Sequence, residues 1–211
     1  MGISINFKRL AIDYGQWQSI RKHKAIDASG VPIPWYTYPA IEYLRSFDFK
    51  DCDVFEFGAG NSSLFWASRS QSVTSVEDDS DWFKHVNATV RNNQLIINCI
   101  LENDYVESIS QQGKLFNIII VDGKWRRRCV EEAIKCLQNG GMIVLDNSDR
   151  KIEIGCSKFL REQGFFQIDF SGFGPINEYC WTTSIFIKTP TTLQLSYGDP
   201  APIGGLEDID S

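Results

Sequence analysis

The chain has 211 residues, of which 43% are hydrophobic and 23% are charged. That length fits one α/β domain with additions better than two domains. The formal net charge of −6 argues against a basic surface for nucleic acid, and no apolar run reaches membrane-spanning length. We therefore expect a cytoplasmic protein with no nucleic-acid partner and no membrane span.

Cysteine spacing fits the same compartment. The six cysteines contain no C-x-x-C pair and fall mostly within predicted strands and helices. This is typical of buried free thiols in a reducing compartment rather than of a disulfide framework.

The first part of the chain, residues 1–38, mixes charges, aromatic residues and turn signals, and we predict that it forms a cap or lid segment. A short amphipathic helix is predicted over residues 40–47, since Pro39 suits the first turn of a helix. It opens the main predicted domain, residues 39–188. The chain then loses apolar character, so residues 189–211 are predicted to be a tail.

The next feature is a glycine turn after a short apolar run. The run at residues 53–57 is followed by Gly58 and Gly60, and a helical pattern begins just beyond. This order predicts a buried parallel strand that passes into a helix across a ligand-binding turn. Ser63 stands where a dinucleotide fingerprint has its third glycine, and Glu56 would repel a pyrophosphate and attract a cation.

A second strand is predicted over residues 72–77, followed by a helix over residues 79–93. Glu77 ends this strand, where an acid is suited to hydrogen-bonding a ribose diol. The alternative is a favourable charge at the helix N-terminus. Asp78, Asp79 and Asp81 already fill that second role, which favours the ribose interpretation.

Alternating strands and helices continue to the end of the predicted domain. One of them, the fourth predicted strand at residues 115–121, has the apolar character of a strand buried on both faces. A helix over residues 126–138 is predicted to stop at Gly140-Gly141. The other predicted elements are strands at 95–101, 142–145, 165–170 and 181–188 and a helix at 153–163, with the last two strands antiparallel.

At this point the chain resembles the class I S-adenosylmethionine-dependent methyltransferases. Residues 56–60 resemble the first motif of that family, and Glu77 matches its ribose-binding acid; the resemblance covers residues 39–188. It implies an α/β fold, a Rossmann-like three-layer sandwich whose seven-stranded sheet is mostly parallel with the last strand antiparallel. It also implies that S-adenosylmethionine contacts Gly58, Gly60 and Glu77, with Glu56 near its methionine part or ordering the loop.

In that family the loop after the third strand meets the adenine. By resemblance, Asp104 or Glu102 would contact the adenine amino group and Tyr105 would stack on the ring. The alternative is an ordinary polar loop before a helix at residues 106–110. Trp82 would cover the adenine or belong to the core. The predicted cofactor-binding residues are Glu56, Gly58, Gly60, Asn61, Ser62, Glu77, Asp104, Tyr105 and Asp122.

Acidic residues end two further strands. Asp122 and the pair Asp146-Asn147 meet at the edge that carries the glycine turn, and their oxygens suit Mg²⁺ or Ca²⁺. The alternative is helix capping. The set Asp122, Asp146 and Asn147 resembles the metal ligands of cation-dependent O-methyltransferases. The lysine of that subgroup is replaced here by Trp125, so Asp122 or the neighbouring Lys124 remains as the proton acceptor.

The predicted catalytic residues are Asp122, Lys124 and Asp146. A basic cluster at residues 124–128 is either a solvated helix face or a cradle for an anionic substrate. The strand-end stretches resemble a bacterial methyltransferase group of unknown substrate that is supposed to act in glycan or secondary metabolism.

The predicted function is methyl transfer by an enzyme from S-adenosylmethionine to a hydroxyl of a small or glycan-precursor acceptor, anionic or neutral. The alternatives are an NAD(P)-dependent oxidoreductase and a non-catalytic binding protein on the same fold. A homodimer is a candidate assembly.

Overall fold

The computed structural model describes residues 7–188, which form one seven-stranded sheet in the order β3-β2-β1-β4-β5-β7-β6. The strands β1 to β5 run parallel, and β7 is antiparallel to both β5 and β6. This confirms the predicted fold class. The strands are β1 Phe49–Phe57, β2 Ser70–Glu77, β3 Gln94–Asn98, β4 Phe116–Val121, β5 Leu137–Leu145, β6 Phe166–Gly172 and β7 Trp181–Ile187.

Seven α-helices accompany the sheet in the described residues. They are α1 Gln16–Lys22, α2 Tyr38–Arg45, α3 Asn61–Ala67, α4 Ser80–Asn87, α5 Glu102–Glu107, α6 Arg126–Cys136 and α7 Lys151–Glu162. In this part of the chain, each helix is too short or too polar to cross a membrane. The predicted tail at residues 189–211 lies outside the described residues.

The sheet is buried on both faces because successive strand residues point to opposite sides. On one face, Phe55 and Ile119 pack with residues of α5, α6 and α7. On the other, Val54 and Ile118 pack with the N-terminal segment, α2 and α3. The sheet and the helices on its two faces form three layers. Because β1, β2, β4 and β5 run parallel, their carboxyl ends lie at a single edge, where open α/β sheets bind ligands.

The predicted helix stop at Gly140-Gly141 is wrong. Helix α6 ends at Cys136, and both glycines lie within β5, which begins at the next residue. A Cβ on Gly141 would lie 2.6 Å from the carbonyl oxygen of Asn117. The glycine therefore permits a close approach of β5 to β4, at an irregularity in their pairing.

Two other predicted boundaries also differ. The helix predicted over residues 79–93 is confined to α4, and the helix predicted at residues 106–110 begins earlier, as α5. Helix α4 starts where the side chain of Asp79 accepts hydrogen bonds from the backbone N–H groups of Asp81 and Trp82. This is the usual arrangement of an aspartate N-cap.

The N-terminal segment, residues 7–38, crosses the same edge of the sheet. The backbone N–H of Tyr38 donates to the carbonyl of Phe173 at 2.7 Å, in the loop between β6 and β7. The backbone N–H of Thr37 donates to Oγ1 of Thr183 on β7 at 3.1 Å. These bonds fix the segment beside the ends of β5 and β7.

Candidate functional site

The glycine turn after β1 has two glycines with different constraints. Gly58 has a φ of +92°, and a Cβ there would lie 3.1 Å from the Cα of Gly123 in the loop after β4. Both the left-handed backbone and the close packing therefore require glycine. Gly60 has an extended backbone, and the nearest atom to a Cβ there is Ser62 Oγ at 4.0 Å. Contacts within the described chain do not explain why position 60 is glycine.

Glu56 lies beneath this turn and is fully buried. Its Oε2 accepts hydrogen bonds from Ser63 Oγ at 2.5 Å and Ser75 Oγ at 2.8 Å. Ser63 Oγ in turn accepts a hydrogen bond from the backbone N–H of Gly60 at 3.0 Å. Burial raises the pKa of Glu56 to about 7, although the hydroxyls of the neighbouring serines oppose the rise. Glu56 thus orders the loop, which is one of its two predicted roles.

One oxygen of Glu56 remains without a partner among the described residues. This is Oε1, which is buried and accepts no hydrogen bond. A buried acceptor of this kind is costly unless a water or a ligand satisfies it. Its position beneath the turn makes it a candidate acceptor for a cationic ligand group.

Glu77 ties the glycine turn to the loop after β2. Its Oε2 accepts from the backbone N–H of Ala59 at 3.0 Å, while Oε1 accepts from the N–H groups of Asp78 and Asp79 at 3.0 and 2.9 Å. Burial raises the pKa of Glu77, and these hydrogen bonds counteract the rise. The carboxylate is therefore fixed beside the turn, and its role in binding a ribose stays a prediction.

Trp82 lies over the turn and does not belong to the core. Its indole Nε1 donates to the carbonyl of Ala59 at 2.7 Å, its ring stacks on His85, and the residue is 46% exposed. Asn61, at the start of α3, donates through Nδ2 to the carbonyl of Ala25 at 2.7 Å. That amide thus joins the turn to the N-terminal segment.

The loop after β3 differs from the prediction. Tyr105 is fully buried, with its ring 5.7 Å from that of Phe57 and 5.3 Å from that of Trp125. The predicted stacking of Tyr105 on an adenine is contradicted, because α5 begins at Glu102 and turns this ring into the core. Glu102 pairs with Arg128 at 2.8 Å, and Asp104 is exposed in the first turn of α5.

The predicted metal ligands contact the guanidinium of Arg126 instead. Asp122 and Asn147 do so through their side chains, and Asp146 does so through its backbone carbonyl. The guanidinium of Arg126 donates to Asp122 Oδ1 at 3.1 Å and to Asn147 Oδ1 at 3.3 Å from two nitrogens. It also donates to the backbone carbonyls of Asp146 at 2.5 Å, Gly123 at 2.9 Å and Asp122 at 3.2 Å. Among residues 7–188, no three His, Cys, Asp or Glu side chains converge in a metal-binding group. The predicted Mg²⁺ or Ca²⁺ site does not fit this arrangement, because a cation of the chain lies between its donors.

The two strand-end acids have different environments. Asp146 is buried, and its Oδ1 accepts from Trp181 Nε1 at 3.0 Å and from Thr183 Oγ1 at 2.5 Å. Burial raises the pKa of both acids; the guanidinium of Arg126 opposes the rise at Asp122, and the charge of Asp122 adds to the rise at Asp146. The side chain of Asp122 is also 24% exposed. Asp122, which contacts Arg126 and is partly exposed, is therefore the more accessible carboxylate of the two and the one better placed to carry the negative charge.

The exposed cations of the basic cluster are paired within the chain. Lys124 contacts Asp78 at 2.5 Å, which raises its pKa, and Arg127 contacts Glu131 at 2.7 Å. Together with the Arg128 pair described above, these contacts support the solvated helix face over the anionic cradle. Lys124 stays protonated at neutral pH and is not suited to accept a proton.

One pocket of about 450 Å³ lies in the N-terminal region, away from the strand ends. Several of its charged residues are paired with one another, including Arg9 with Asp13 and Arg45 with Asp27. It is lined by Arg9, Asp13, Tyr14, Asp27, Ile33, Tyr38, Ile41, Glu42 and Arg45. The glycine turn and the strand-end acids do not line it.

No family model and no curated protein matches this sequence. Solved structures do match its fold. A precorrin-6y C5,15-methyltransferase from Geobacter metallireducens is 11% identical, with a TM-score of 0.55 over 67% of this chain and 82% of that one. A Staphylococcus aureus protein assigned as a caffeoyl-CoA O-methyltransferase is 15% identical, with a TM-score of 0.55 over 70% of this chain and 80% of that one.

A Streptococcus mutans protein assigned as a methyltransferase was solved in complex with S-adenosylhomocysteine. It is 14% identical, with a TM-score of 0.51 over 72% of this chain and 98% of that one. At these identities the likeness concerns the fold. This chain has the fold of class I S-adenosylmethionine-dependent methyltransferases, as its sequence motifs predict.

Proposed function

We propose that this chain binds S-adenosylmethionine at the ends of β1 and β2 and transfers its methyl group to a hydroxyl of a small acceptor or glycan precursor. The proposal rests on two features that lie side by side, the glycine at position 60 and the carboxylate of Glu77. Gly60 has open space where a Cβ would be, and Glu77 is fixed beside it through Ala59. A ligand that approaches the backbone closely and offers hydroxyl groups explains both features.

The acceptor sites of the two buried acids match the cofactor. An ionised carboxylate has about four lone-pair sites. Glu77 accepts three hydrogen bonds within the chain, which leaves capacity for a ribose hydroxyl. Glu56 has an oxygen without a partner among the described residues, which suits the cofactor's ammonium group.

The electrophile of the reaction is supplied by the cofactor, since its methyl group is bound to a positive sulfur. The acceptor oxygen forms the new bond to the methyl carbon. The sulfur–carbon bond breaks with its electron pair remaining on sulfur, giving S-adenosylhomocysteine. The protein orients the two reactants in line and accepts the hydroxyl proton.

Asp122 is the residue we assign as proton acceptor. It lies at the end of β4, contacts the guanidinium of Arg126, which favours its ionised form, and has an accessible side chain. Lys124 is held protonated by Asp78, and Asp146 is buried, with its pKa raised by burial and by the charge of Asp122. Since a base of this kind serves a hydroxyl better than a carbon acceptor, the assignment supports O-methylation.

The acceptor does not need a negative charge. The exposed cations near this edge are paired with Asp78, Glu131 and Glu102. We therefore propose a hydroxylated small molecule or glycan precursor in which a phosphate or carboxylate is not required.

Calorimetry with S-adenosylmethionine, S-adenosylhomocysteine and NAD⁺ tests the cofactor. We expect binding of both adenosyl ligands, no binding of NAD⁺, and a large loss in Glu77→Ala. Asp81→Ala is the matched control, since Asp81 is an exposed acid four residues further along. Binding of NAD⁺ alone, or unchanged affinity in Glu77→Ala, would contradict the proposal.

Turnover is measured separately, as S-adenosylhomocysteine released in the presence of a pool of hydroxylated acceptors. We expect product only when an acceptor is present. Cofactor binding without turnover across a broad pool would favour the non-catalytic alternative.

A further inference from the structure

Arg126 is the first residue of α6, and its side chain is only 10% exposed. Its five N–H groups face five oxygens, and every nitrogen of the guanidinium has at least one acceptor within 3.3 Å. No donor is left for a substrate. The residue therefore acts through the groups it holds, at the ends of β4 and β5.

The oxygens around Arg126 are the kind that bind a hard divalent cation. They comprise one carboxylate oxygen, one side-chain amide oxygen and three backbone carbonyl oxygens. Carboxylate, amide and carbonyl oxygens are the ligands of Ca²⁺ and, with water, of Mg²⁺. These five oxygens, here called the oxygen cage, suit a cation, and the cation that they surround is the guanidinium of Arg126.

Two other features make the start of α6 an unfavourable place for an arginine. The N-terminus of a helix carries positive partial charge, so an arginine at its first position opposes the macrodipole. The preceding residue, Trp125, has a left-handed backbone with φ of +49°. In contrast, Glu153 of α7 favours a cation here, since its Oε1 lies 3.8 Å from Nε of Arg126 and adds a second acid beside Asp122. The oxygen cage therefore offsets the unfavourable interaction of Arg126 with the positive partial charge at the N-terminus of α6.

From this arrangement we infer that Arg126 takes the place of a divalent cation and is a positioning residue for Asp122. The guanidinium fixes Asp122 through Oδ1, and Oδ2 makes no hydrogen bond within the described residues. Oδ2 is then the oxygen presented to an acceptor hydroxyl. This positioning role rests on the proposed function, whereas the occupancy of the cage by Arg126 does not.

The cage is tested by exchanging its cation. Mn²⁺ binding is measured by electron paramagnetic resonance and calorimetry on the full chain, with wild type, Arg126→Ala and Arg126→Lys. We expect no specific Mn²⁺ site in wild type or in Arg126→Lys, and a new site in Arg126→Ala. The dissociation constant for Mn²⁺ is expected to be at least about tenfold lower in Arg126→Ala than in wild type, since the oxygens around residue 126 are freed for the metal.

Two controls locate the new site. Arg127→Ala removes the same charge from an exposed neighbour, 49% of whose side chain is accessible, and we expect no gain of Mn²⁺ binding. Asp122→Asn combined with Arg126→Ala removes the carboxylate of the cage and is expected to abolish the gain. An equal gain in Arg127→Ala, or a gain that survives Asp122→Asn, would overturn the inference.

A marginally stable Arg126→Ala chain remains informative. A ligand that binds only the folded state raises the melting temperature, so Mn²⁺ is expected to raise it in Arg126→Ala and to leave it unchanged in wild type. Specific Mn²⁺ binding by wild type that is lost in Asp122→Asn would show that the chain uses a metal there, and it would overturn the inference. Failure of S-adenosylmethionine binding would overturn the proposed function and leave the Mn²⁺ result standing.

Discussion

The ends of β1 and β2 hold their acids differently from the ends of β4 and β5. Glu77 is bound by three backbone N–H groups from residues next to it in the chain or in the facing turn. Asp146 is held by side chains of β7, and Asp122 by the guanidinium of Arg126. The first half of the edge is organised by backbone N–H groups, and the second half by side chains, which come from Arg126 four residues after Asp122 and from β7.

This difference separates the two tasks of the proposed enzyme. A cofactor that is the same in every turnover is suited to backbone donors and glycines. An acceptor site built from side chains changes with single substitutions. The neighbours of similar fold carry names with different acceptors, and the fold itself does not fix the acceptor.

The largest expected effect is the difference in methyl-transfer activity between variants of Asp122 and of Asp146. Asp122→Asn is expected to lower kcat/KM for methyl transfer by about 10²–10⁴-fold, the usual contribution of a general base. Asp146→Asn is expected to cost less than about tenfold, because its Oδ1 still accepts from Trp181 and Thr183. Release of S-adenosylhomocysteine measures both, with cofactor affinity as the control. Equal losses would contradict the separation of roles.

The second effect compares two adjacent arginines. Arg126→Met leaves Asp122 without its buried partner, so we expect the free energy of unfolding to fall by about 3–5 kcal/mol. Arg127→Met breaks an exposed pair and is expected to cost less than about 1 kcal/mol. Urea unfolding measures both values. Similar costs for the two variants would show that the oxygen cage does not stabilise the fold.

The third effect compares the two glycines of the turn. Gly60→Ala is expected to weaken S-adenosylhomocysteine binding by about tenfold or more, equal to about 1.4 kcal/mol, with stability unchanged. Gly58→Ala is expected to lower stability by about 1–3 kcal/mol, because its φ is +92°. Calorimetry and urea unfolding on both variants test this. Unchanged binding in Gly60→Ala would remove the main support for the proposed cofactor site.

The smallest effect is a proton released when the cofactor binds. Burial raises the pKa of Glu56 to about 7, so the free protein is half protonated there at pH 7. A nearby ammonium lowers that pKa, so binding releases up to about half a proton, and affinity rises with pH until the carboxyl is ionised. Calorimetry in buffers with different ionisation enthalpies measures the release. Glu56→Gln serves as the control and is expected to abolish it.

The fold and the cofactor half of the edge were predictable from sequence because their signals are local. The β-branched runs of β2 and β4, the glycines after β1 and the acid at the end of β2 each lie within a few residues of the structure they specify. Strand β4 is confirmed at the predicted place, with every residue except Asn117 buried. The free state of all six cysteines is also confirmed.

The other half depends on contacts between distant residues. Nothing local indicates that Arg126 turns toward Asn147 while Arg127 and Arg128 turn outward. Thr183 and Trp181 reach Asp146 only because β7 is inserted beside β5 in the sheet order. The burial of Tyr105 depends on where α5 begins, which a polar stretch without periodicity does not specify. The predicted domain boundaries, the homodimer and the site roles not corrected above stay predictions.

Trp82 gives this protein a built-in optical reporter. Its indole is hydrogen-bonded to the carbonyl of Ala59, in the middle of the turn that we propose grips the cofactor. Fluorescence emission from an indole responds to its hydrogen bonding and solvation, so occupancy of the turn is expected to be visible without any label. Trp82→Phe would remove that signal while the other five tryptophans continue to emit.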